Sequence, residues 1–340
     1  MSSELRVKFW GVRGSYPTPG AETVKYGGNT ASIEVRAGER TIILDAGTGI
    51  IPLGRELART TPALAGGARE RAGEIMLLFS HLHHDHTQGF PFFVPAYMPG
   101  TKLHIFGPDG THESMRNVLE RNQSSETFPV GLRDMSATKD IQAVRESQVI
   151  LWDETGVRAV ESTVGLDNEA AVVIRIHKSY AHPGGVYAYR ITWRGKSVVY
   201  ATDIEGYVGT DRKLVQFAKD ADVLIHGAQY LEEHYRGQLV GFPSTQGFGH
   251  STVTMACEVA AASEAGQLIL FHHDPSYSDD MVAGIERTAK SLFADSVAAY
   301  EGLEISLTPN PSPIGRGENV AVRLQSSAVN GRDVQYAQNG

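Results

Sequence analysis

Four histidines and one aspartate lie within six residues near the end of an apolar segment. The residues are Ser80-His81-Leu82-His83-His84-Asp85-His86, directly after the apolar run 75–79. Imidazole nitrogen and carboxylate oxygen without thiolate suit Zn²⁺, with Mn²⁺ or Fe²⁺ as alternatives. A solvated polar loop explains this cluster poorly, because protonated imidazoles repel one another and add no packing energy. We therefore interpret the segment as a metal-binding motif.

The spacing within the motif provides ligands for two metal ions. On an extended chain His81 and His83 lie on the same side, so both can bind one ion. Asp85 and His86 then turn toward a second ion, and His84 points away from both. Two divalent ions about 3.5–4 Å apart lower the pKa of a shared water toward ~7 and so supply hydroxide at neutral pH. This chemistry is hydrolytic.

Alternating strands and helices must position the motif. The apolar periodicity predicts strands at 6–10, 31–36, 41–44, 75–79, 103–106, 171–177, 186–193, 197–202, 223–226 and 267–272. It predicts helices at 50–59, 112–121, 211–218, 252–265 and 281–293. This mixed order is typical of the α/β class and favours an αββα sandwich, in which two mixed β-sheets are flanked by helices.

Two regions lack this periodicity. Residues from about 111 to 168 carry few strand signals, and we expect a mostly helical or irregular insertion over one sheet edge. That insertion could form a substrate lid or a dimer contact. The stretch 309–340 is rich in Pro, Ser, Gly and Asn, which predicts a disordered C-terminal tail.

Composition narrows the function classes further. The 340 residues are 41% hydrophobic and 21% charged, which indicates a globular chain, and no apolar run approaches the ~20 residues of a spanning helix. Without an apolar N-terminal signal region, a cytoplasmic protein is expected. The single cysteine, Cys257, excludes an intrachain disulfide and a zinc site built from cysteines. A net charge of −8 argues against tight binding to a long nucleic acid through many phosphates.

The histidine motif resembles the signature of the metallo-β-lactamase fold superfamily, which continues with a distant His, a bridging Asp and a final His. The chain supplies matches in that order at His182, Asp203 and His272. The resemblance implies a hydrolase domain over residues 1–308 that holds two divalent metal ions, with Zn²⁺ the first choice. The implied ligands are His81, His83, Asp85, His86, His182, Asp203 and His272.

Each of the distant matches also has an ordinary structural interpretation. His182 precedes a proline and could be a turn residue, and Asp203 could cap the helix that follows it. His273 competes with His272, because only one of two adjacent residues continues the inward face of a strand. Asp45 either orients a ligand histidine or belongs only to the turn before Ala46-Gly47.

Three further segments resemble the branch of the superfamily that includes ribonuclease Z and related phosphodiesterases. The segments are Phe9-Trp10-Gly11-Val12-Arg13-Gly14-Ser15, Tyr26-Gly27-Gly28-Asn29-Thr30 and Gly249-His250-Ser251-Thr252. The resemblance implies that His250 lies beside the scissile phosphate and stabilises its charge or protonates the leaving oxygen, while Asp85 orients the nucleophile. Gly28, Asn29 and Ser251 are candidate substrate contacts, although a tight hairpin needs the same glycines.

Three departures from this branch bear on substrate positioning. Gly227 stands where relatives carry an acidic residue, Ala181 stands where Asn is usual, and the run 239–246 is additional. The metal ligands are unaffected by them.

The function predicted from these features is a metal-dependent phosphodiesterase that acts on small nucleotide-like or cyclic-nucleotide diesters. The net acidic chain without a basic, Gly-rich arm disfavours tRNA processing. The alternatives are hydrolysis of lactones, thioesters or β-lactams, and a ligand-sensing protein that retains the metals with little turnover. An oxygen-reducing di-iron enzyme is disfavoured because His83 stands where that branch has Glu. The resemblance also suggests a homodimer.

Overall fold

Two eight-stranded sheets form the centre of the fold. In the computed structural model, residues 4–60, 73–110, 113–161, 171–206, 209–309 and 320–322 are described. In spatial order, the first sheet contains β16 (Val320–Val322), β15 (Glu304–Leu307), β1 (Leu5–Gly11), β2 (Ser32–Ala37), β3 (Arg40–Leu44), β4 (Glu74–Leu78), β5 (Lys102–Gly107) and β6 (Thr138–Ala143). From β16 to β3 neighbouring strands are antiparallel, and from β3 to β6 they are parallel.

The second sheet has the same mixed character. In spatial order, it contains β14 (Ser296–Ala298), β13 (Gln267–Phe271), β12 (Val223–Gly227), β11 (Lys196–Ala201), β10 (Val186–Trp193), β9 (Val172–Ser179), β7 (Gln148–Asp153) and β8 (Gly156–Glu161). Strands β11 to β14 pair in parallel, and the others are antiparallel.

Seven α-helices lie in the described part of the chain, and the five longer ones pack on the outer faces of the sheets. The seven helices are α1 (Ile50–Thr60), α2 (His84–Thr87), α3 (Met115–Asn122), α4 (Arg212–Ala218), α5 (Glu232–Tyr235), α6 (Val253–Ala262) and α7 (Asp279–Leu292). Helix α1 buries Ile50, Leu53 and Leu57, the spacing of one helix face, in a core shared with the first sheet. Helices α4, α6 and α7 pack on the second sheet in the same way. No helix in the described part of the chain is long and apolar enough to span a membrane.

The inner faces of the two sheets form one apolar core. Phe9 of β1 and Phe271 of β13 meet there, with ring centroids 6.1 Å apart. The predicted αββα sandwich of two mixed sheets is therefore confirmed.

The parallel strands of both sheets end at the same edge of the sandwich. In α/β folds, loops at the carboxyl ends of parallel strands build the ligand site. Hydrogen bonds join the two sheets at this edge, because the Tyr187 amide donates to the Ser80 carbonyl at 2.8 Å and the Tyr189 hydroxyl donates to the Phe79 carbonyl at 2.7 Å. The loop after β4 is thereby fixed against the second sheet.

The prediction of a mostly helical or irregular insertion at 111–168 is wrong, because the segment contains strands of both sheets. Its described residues contain α3 and three strands, with β6 at an edge of the first sheet and β7 and β8 at an edge of the second. The segment therefore carries the chain from one sheet to the other. Strand β6 escaped prediction because four of its six residues are only half-buried and its sequence, TKDIQA, has little apolar alternation.

The C-terminal tail is described only in part. Within the stretch 309–340, Pro309 and β16 are described, and β16 pairs antiparallel with β15. At these three residues the sheet extends past the predicted domain end at 308. The rest of the predicted tail lies outside the described residues.

Arg13 joins three backbone segments in the interior. The side chain is fully buried and donates to the carbonyls of Gly27, Asp274 and Tyr277 at 2.7–3.0 Å. Its guanidinium also lies 3.9 Å from the Asp279 carboxylate. Since Asp274 and Tyr277 follow the end of β13, Arg13 anchors the chain just beyond His272.

We expect Arg13→Met to lower the free energy of unfolding by about 3–5 kcal/mol, because buried acceptors would lose their donor and a charged partner would be left unpaired. Chemical denaturation measures this change. Arg133 provides a matched control, because its side chain is 86% exposed and contacts only Glu120 in an ion pair, so that Arg133→Met should leave the denaturation midpoint unchanged. Equal midpoints for the two variants would contradict the anchoring role.

Candidate metal centre

The loop after β4 folds the histidine motif back on itself. His81 and His83 lie in the loop, and α2 begins at His84, so the helical turn carries Asp85 and His86 back toward His81. The ring centroids of His81 and His86 are 4.2 Å apart. His84 is exposed, in line with its predicted orientation away from the site.

A first group of donors contains His81, His83 and His182. The Nδ1 atom of His83 lies 2.9 Å from Nε2 of His182. Two nitrogens bound to one Zn²⁺ at about 2.0–2.1 Å lie roughly 3 Å apart, so this contact has the spacing of two ligands on one ion.

A second group contains Asp85, His86 and His272. The Nε2 atom of His272 lies 3.2 Å from Nε2 of His86 and 3.1 Å from Oδ2 of Asp85. Asp203 lies against both groups, since its carboxylate is 3.6 Å from His81 Nε2 and 3.3 Å from His272 Nε2. The structure thus brings together all seven ligands predicted from the sequence.

Backbone conformation directs several of these side chains inward. Asp45, Asp203 and His272 each follow a parallel strand, with φ values of 59°, 54° and 60°. Non-glycine residues rarely adopt this left-handed conformation, and it concentrates at functional sites. Asp203 is not a helix cap, because α4 begins at Arg212 and Asp211 caps it.

Hydrogen bonds to the remaining ring nitrogens fix the orientation of the ligand histidines. Nδ1 of His86 lies 2.7 Å from Asp45, Nδ1 of His272 lies 2.9 Å from Gln229 Oε1, and Nδ1 of His182 lies 3.1 Å from the Gly249 carbonyl. Each bond leaves Nε2 free to face the donor cluster. Such partners are typical of metal-binding histidines.

The charges at the site also fit metal ions. Asp45, Asp85 and Asp203 are buried, and no lysine or arginine of the described residues forms an ion pair with them. Buried carboxylates require a cationic partner. In addition, the buried Nε2 of His81 has no hydrogen-bond partner in the structure. Divalent ions among these donors would satisfy both requirements.

The pKa values follow from the same arrangement. Burial would raise the pKa of Asp203, but His272 and His86 lower it well below its ordinary value. Burial would likewise raise the pKa of Asp85, and His86 together with the hydrogen bond from His272 lowers it well below its ordinary value. Both groups are therefore carboxylates at neutral pH. Burial lowers the pKa of His81 well below its ordinary value, so that ring is neutral, as a ligand must be.

His250 lies next to these two donor groups and forms a further group of close donors with His182 and Asp203. Its ring stacks on His272 with centroids 5.1 Å apart, and its Nδ1 is 3.7 Å from Asp203. The side chain is 13% exposed, so it borders the space where a substrate would lie. Adjacent Gly249 has a φ of 92°, and a Cβ there would come within 2.1 Å of His182 Nδ1, so this position requires glycine.

The predicted substrate contacts have internal partners. The backbone and side-chain amides of Asn29 both donate to Glu301, and Gly28 packs on the Thr18 carbonyl. The Ser251 hydroxyl donates to the Ile204 carbonyl and accepts from the Gly206 amide. These contacts stabilise loops, and a substrate role for Gly28, Asn29 and Ser251 stays a prediction without support from them.

Several supporting residues were missed by sequence reasoning. The sequence does not decide between the two interpretations of Asp45, and it contains no local signal for Gln229 or Glu205. Gln229 orients His272 from the loop after β12. Of the two adjacent histidines only His272 belongs to a donor group, whereas His273 is fully buried with Nε2 2.9 Å from the Ala299 carbonyl.

Glu205 holds the loop that carries His250. Its buried carboxylate accepts hydrogen bonds from the amides of Gly247 and Gly249, both at 2.8 Å, and from the Tyr235 hydroxyl at 2.6 Å. The Gly249 carbonyl in turn fixes His182. Glu205 is therefore a positioning residue for both histidines.

We expect Glu205→Gln to lower bound metal and hydrolytic turnover by about 10–100-fold, because an amide group would face N–H donors and displace the loop. Metal analysis and steady-state kinetics measure the two effects. Tyr235→Phe removes only one of the three hydrogen bonds to Glu205, so it should lower bound metal and turnover much less. Unchanged metal content and turnover in Glu205→Gln would overturn the positioning role.

Comparisons with known proteins agree with this fold. The model of the Beta-lactamase superfamily domain matches residues 40–273. Ribonuclease Z of Picrophilus torridus is 23% identical over 339 residues, which cover 90% of this chain and 97% of the relative. Ribonuclease Z of Pyrococcus abyssi is 25% identical over 299 residues, covering 81% and 88%. The metallo-beta-lactamase fold protein YhfI from Bacillus subtilis superimposes with a TM-score of 0.58 at 19% identity, covering 89% and 99% of the two chains.

Proposed function

Because the chain belongs to the beta-lactamase superfamily and is a metal-dependent hydrolase of this fold, we propose that it hydrolyses phosphodiester bonds in small nucleotide-like substrates. The observation that carries the proposal is His250, a partly exposed imidazole stacked on His272 beside the donor groups. A neutral imidazole N–H there can donate to a phosphate oxygen or to the leaving oxygen.

The donor set assigns a role to each residue. His81, His83 and His182 would hold one ion, Asp85, His86 and His272 a second, and Asp203 would contact both. The proposed metal ligands are therefore His81, His83, Asp85, His86, His182, Asp203 and His272. Two divalent ions, Zn²⁺ by donor type, would polarise the phosphoryl oxygens and lower the pKa of a water between them.

Asp85 and His250 act on the substrate side in this proposal. Oδ2 of Asp85 accepts from the Ser15 amide at 2.7 Å, which fixes the carboxylate that orients the attacking water. His250 would stabilise the charge that develops on the phosphate through an N–H hydrogen bond or, in its protonated form, supply a proton to the leaving oxygen. No covalent intermediate is needed for this reaction.

The relatives favour a second candidate function. Both relatives are named ribonuclease Z, and this chain covers most of their length. RNA is therefore the alternative phosphodiester substrate. The net charge of −8 favours a small substrate, since a long polyanion would be repelled.

Hydrolysis of bis(p-nitrophenyl) phosphate by Zn²⁺-loaded and Mn²⁺-loaded protein tests the reaction type. We expect turnover that a chelator abolishes and added metal restores. A cyclic nucleotide and an RNA transcript with a 3′ extension, compared by kcat/KM, then separate the two substrate classes. Turnover only with lactone, thioester or β-lactam substrates, or with none of these, would contradict the proposal.

His250→Gln tests the role of that residue in the same assay. We expect kcat to fall by about 10²–10⁴-fold with metal content unchanged, because an acid–base group and not a ligand is removed. His84→Gln, at an exposed position of the motif that belongs to none of the donor groups, serves as the control with unchanged kcat. Loss of metal from His250→Gln would assign the imidazole to the ligand set instead.

A further inference from the structure

An exposed tyrosine shares a cavity with one of the candidate metal ligands. Tyr180 is 79% exposed, although it stands only two residues before His182 at the end of β9. Tyr180 and His182 line one open cavity of about 390 Å³. Because His182 also belongs to the first donor group, this cavity adjoins one ligand of the candidate metal centre.

The rest of the cavity lining has almost no side chains. Besides Tyr180 and His182 it is formed by Ala181, Pro183, Gly184, Gly185 and Gly247. Gly184 and Gly185 have φ values of 85° and 83°, and a Cβ at Gly185 would contact Lys178 and Tyr180 at 3.5 and 3.8 Å. The glycines therefore keep the floor flat beside the tyrosine ring, which leaves space for a planar group.

Lys178 adds a positive charge at the same place. Its Nζ lies 4.9 Å from the centroid of the Tyr180 ring. This cation–π contact orients the ring, yet most of the ring surface stays exposed. An aromatic ring held in place beside a cation is a stacking platform of the kind that binds unpaired nucleobases.

We propose that this cavity is a nucleobase subsite, in which the base of a nucleotide stacks on Tyr180 while its phosphate reaches the metal centre. The inference rests on the proposed phosphodiesterase function and names the part of the substrate that the site selects. The cavity volume falls in the range of small-ligand clefts, about 300–1,000 Å³, so it holds one nucleotide rather than a duplex. Among its lining residues only Tyr180 offers a large planar surface outside the metal ligands.

Calorimetric titration of adenosine 5′-monophosphate and ribose 5-phosphate into the metal-loaded protein tests the subsite without requiring turnover. The two ligands share the phosphate and differ in the base. We expect adenosine 5′-monophosphate to bind about tenfold more tightly, in keeping with one base stacked on an aromatic ring. Tyr180→Ala should remove this difference and leave the affinity for ribose 5-phosphate unchanged.

Two further variants serve as controls for the loss of the aromatic ring and for a substitution outside the cavity. Tyr180→Trp should preserve the preference for the base, because it retains a stacking surface. Val240→Ala, which removes an exposed apolar side chain outside the cavity lining, should change neither affinity. Equal affinities for the two ligands in the unaltered protein, or equal losses of both in Tyr180→Ala, would overturn the subsite.

The outcome also separates this inference from the proposed function. A base preference that depends on Tyr180, in a protein that hydrolyses no phosphodiester, would support the subsite and refute the phosphodiesterase activity. Hydrolysis of phosphodiesters without a base preference would overturn the subsite alone.

Discussion

Replacing Asp203 by asparagine should lower kcat for bis(p-nitrophenyl) phosphate by at least about a thousandfold, an increase of about 4 kcal/mol in the activation barrier. The reason is the position of this carboxylate between the two donor groups. Oδ2 lies 3.6 Å from His81 Nε2 and 3.5 Å from His86 Nε2, and Oδ1 lies 3.3 Å from His272 Nε2. An asparagine has nearly the same shape but only one neutral acceptor, so it cannot place negative charge beside both ions.

Metal content and steady-state kinetics of the Asp203→Asn variant test this prediction together. We expect Asp203→Asn to bind less than two equivalents of metal and to lose turnover even at high metal concentration. Asp280→Asn, at an exposed position in the first turn of α7, removes the same charge and should leave both quantities unchanged. A turnover within tenfold of the unaltered protein would show that Asp203 does not connect the two groups.

The strands that carry the ligands could be predicted because they are buried on both faces. The runs 75–79 and 268–271 are continuously apolar, and a polar residue follows each of them directly, which indicates the end of the strand. Strand β7 is also buried, but its short apolar run lies in a stretch with few other strand signals, and its pairing with β8 and β9 becomes evident only in the folded chain. The edge strands β6 and β8 are half-exposed, and their pairing depends on contacts that are distant in the sequence.

Local and distant contacts also differ between the metal ligands and the residues that orient them. The motif from His81 to His86 is dense along the chain, so its spacing indicates a metal site. Gln229 acts on His272, 43 residues away, and Glu205 acts on the amides of Gly247 and Gly249, 42 and 44 residues away, so no local pattern indicates either residue. Their roles follow only once β12, β13 and the His250 loop lie side by side.

Asp45 is the support whose loss should have the next largest effect. This fully buried carboxylate accepts four hydrogen bonds, two from the Ser80 amide and hydroxyl, one from Tyr200 and one from Nδ1 of His86, all at 2.7 Å. Its negative charge makes the His86 ring a stronger ligand and fixes which nitrogen faces the cluster. The same carboxylate joins the ends of β3, β4 and β11, so it ties both sheets to the metal centre.

We expect Asp45→Asn to weaken metal binding by about 10–100-fold, since the amide keeps the shape but loses the charge and presents donors to donors. Turnover should fall at low metal concentration and recover in part when excess Zn²⁺ is added. That recovery distinguishes Asp45 from Asp203, whose replacement leaves the two ions without their common carboxylate at any metal concentration.

Tyr200→Phe supplies the graded control for this prediction. It removes one of the four hydrogen bonds to Asp45 while the charge and the bond to His86 remain, so metal affinity should fall much less than in Asp45→Asn. Titration of chelator-treated protein with Zn²⁺ measures all three proteins on one scale. If Asp45→Asn binds Zn²⁺ as tightly as Tyr200→Phe, the charge of Asp45 does not strengthen the ligand, and its role is limited to joining the strand ends.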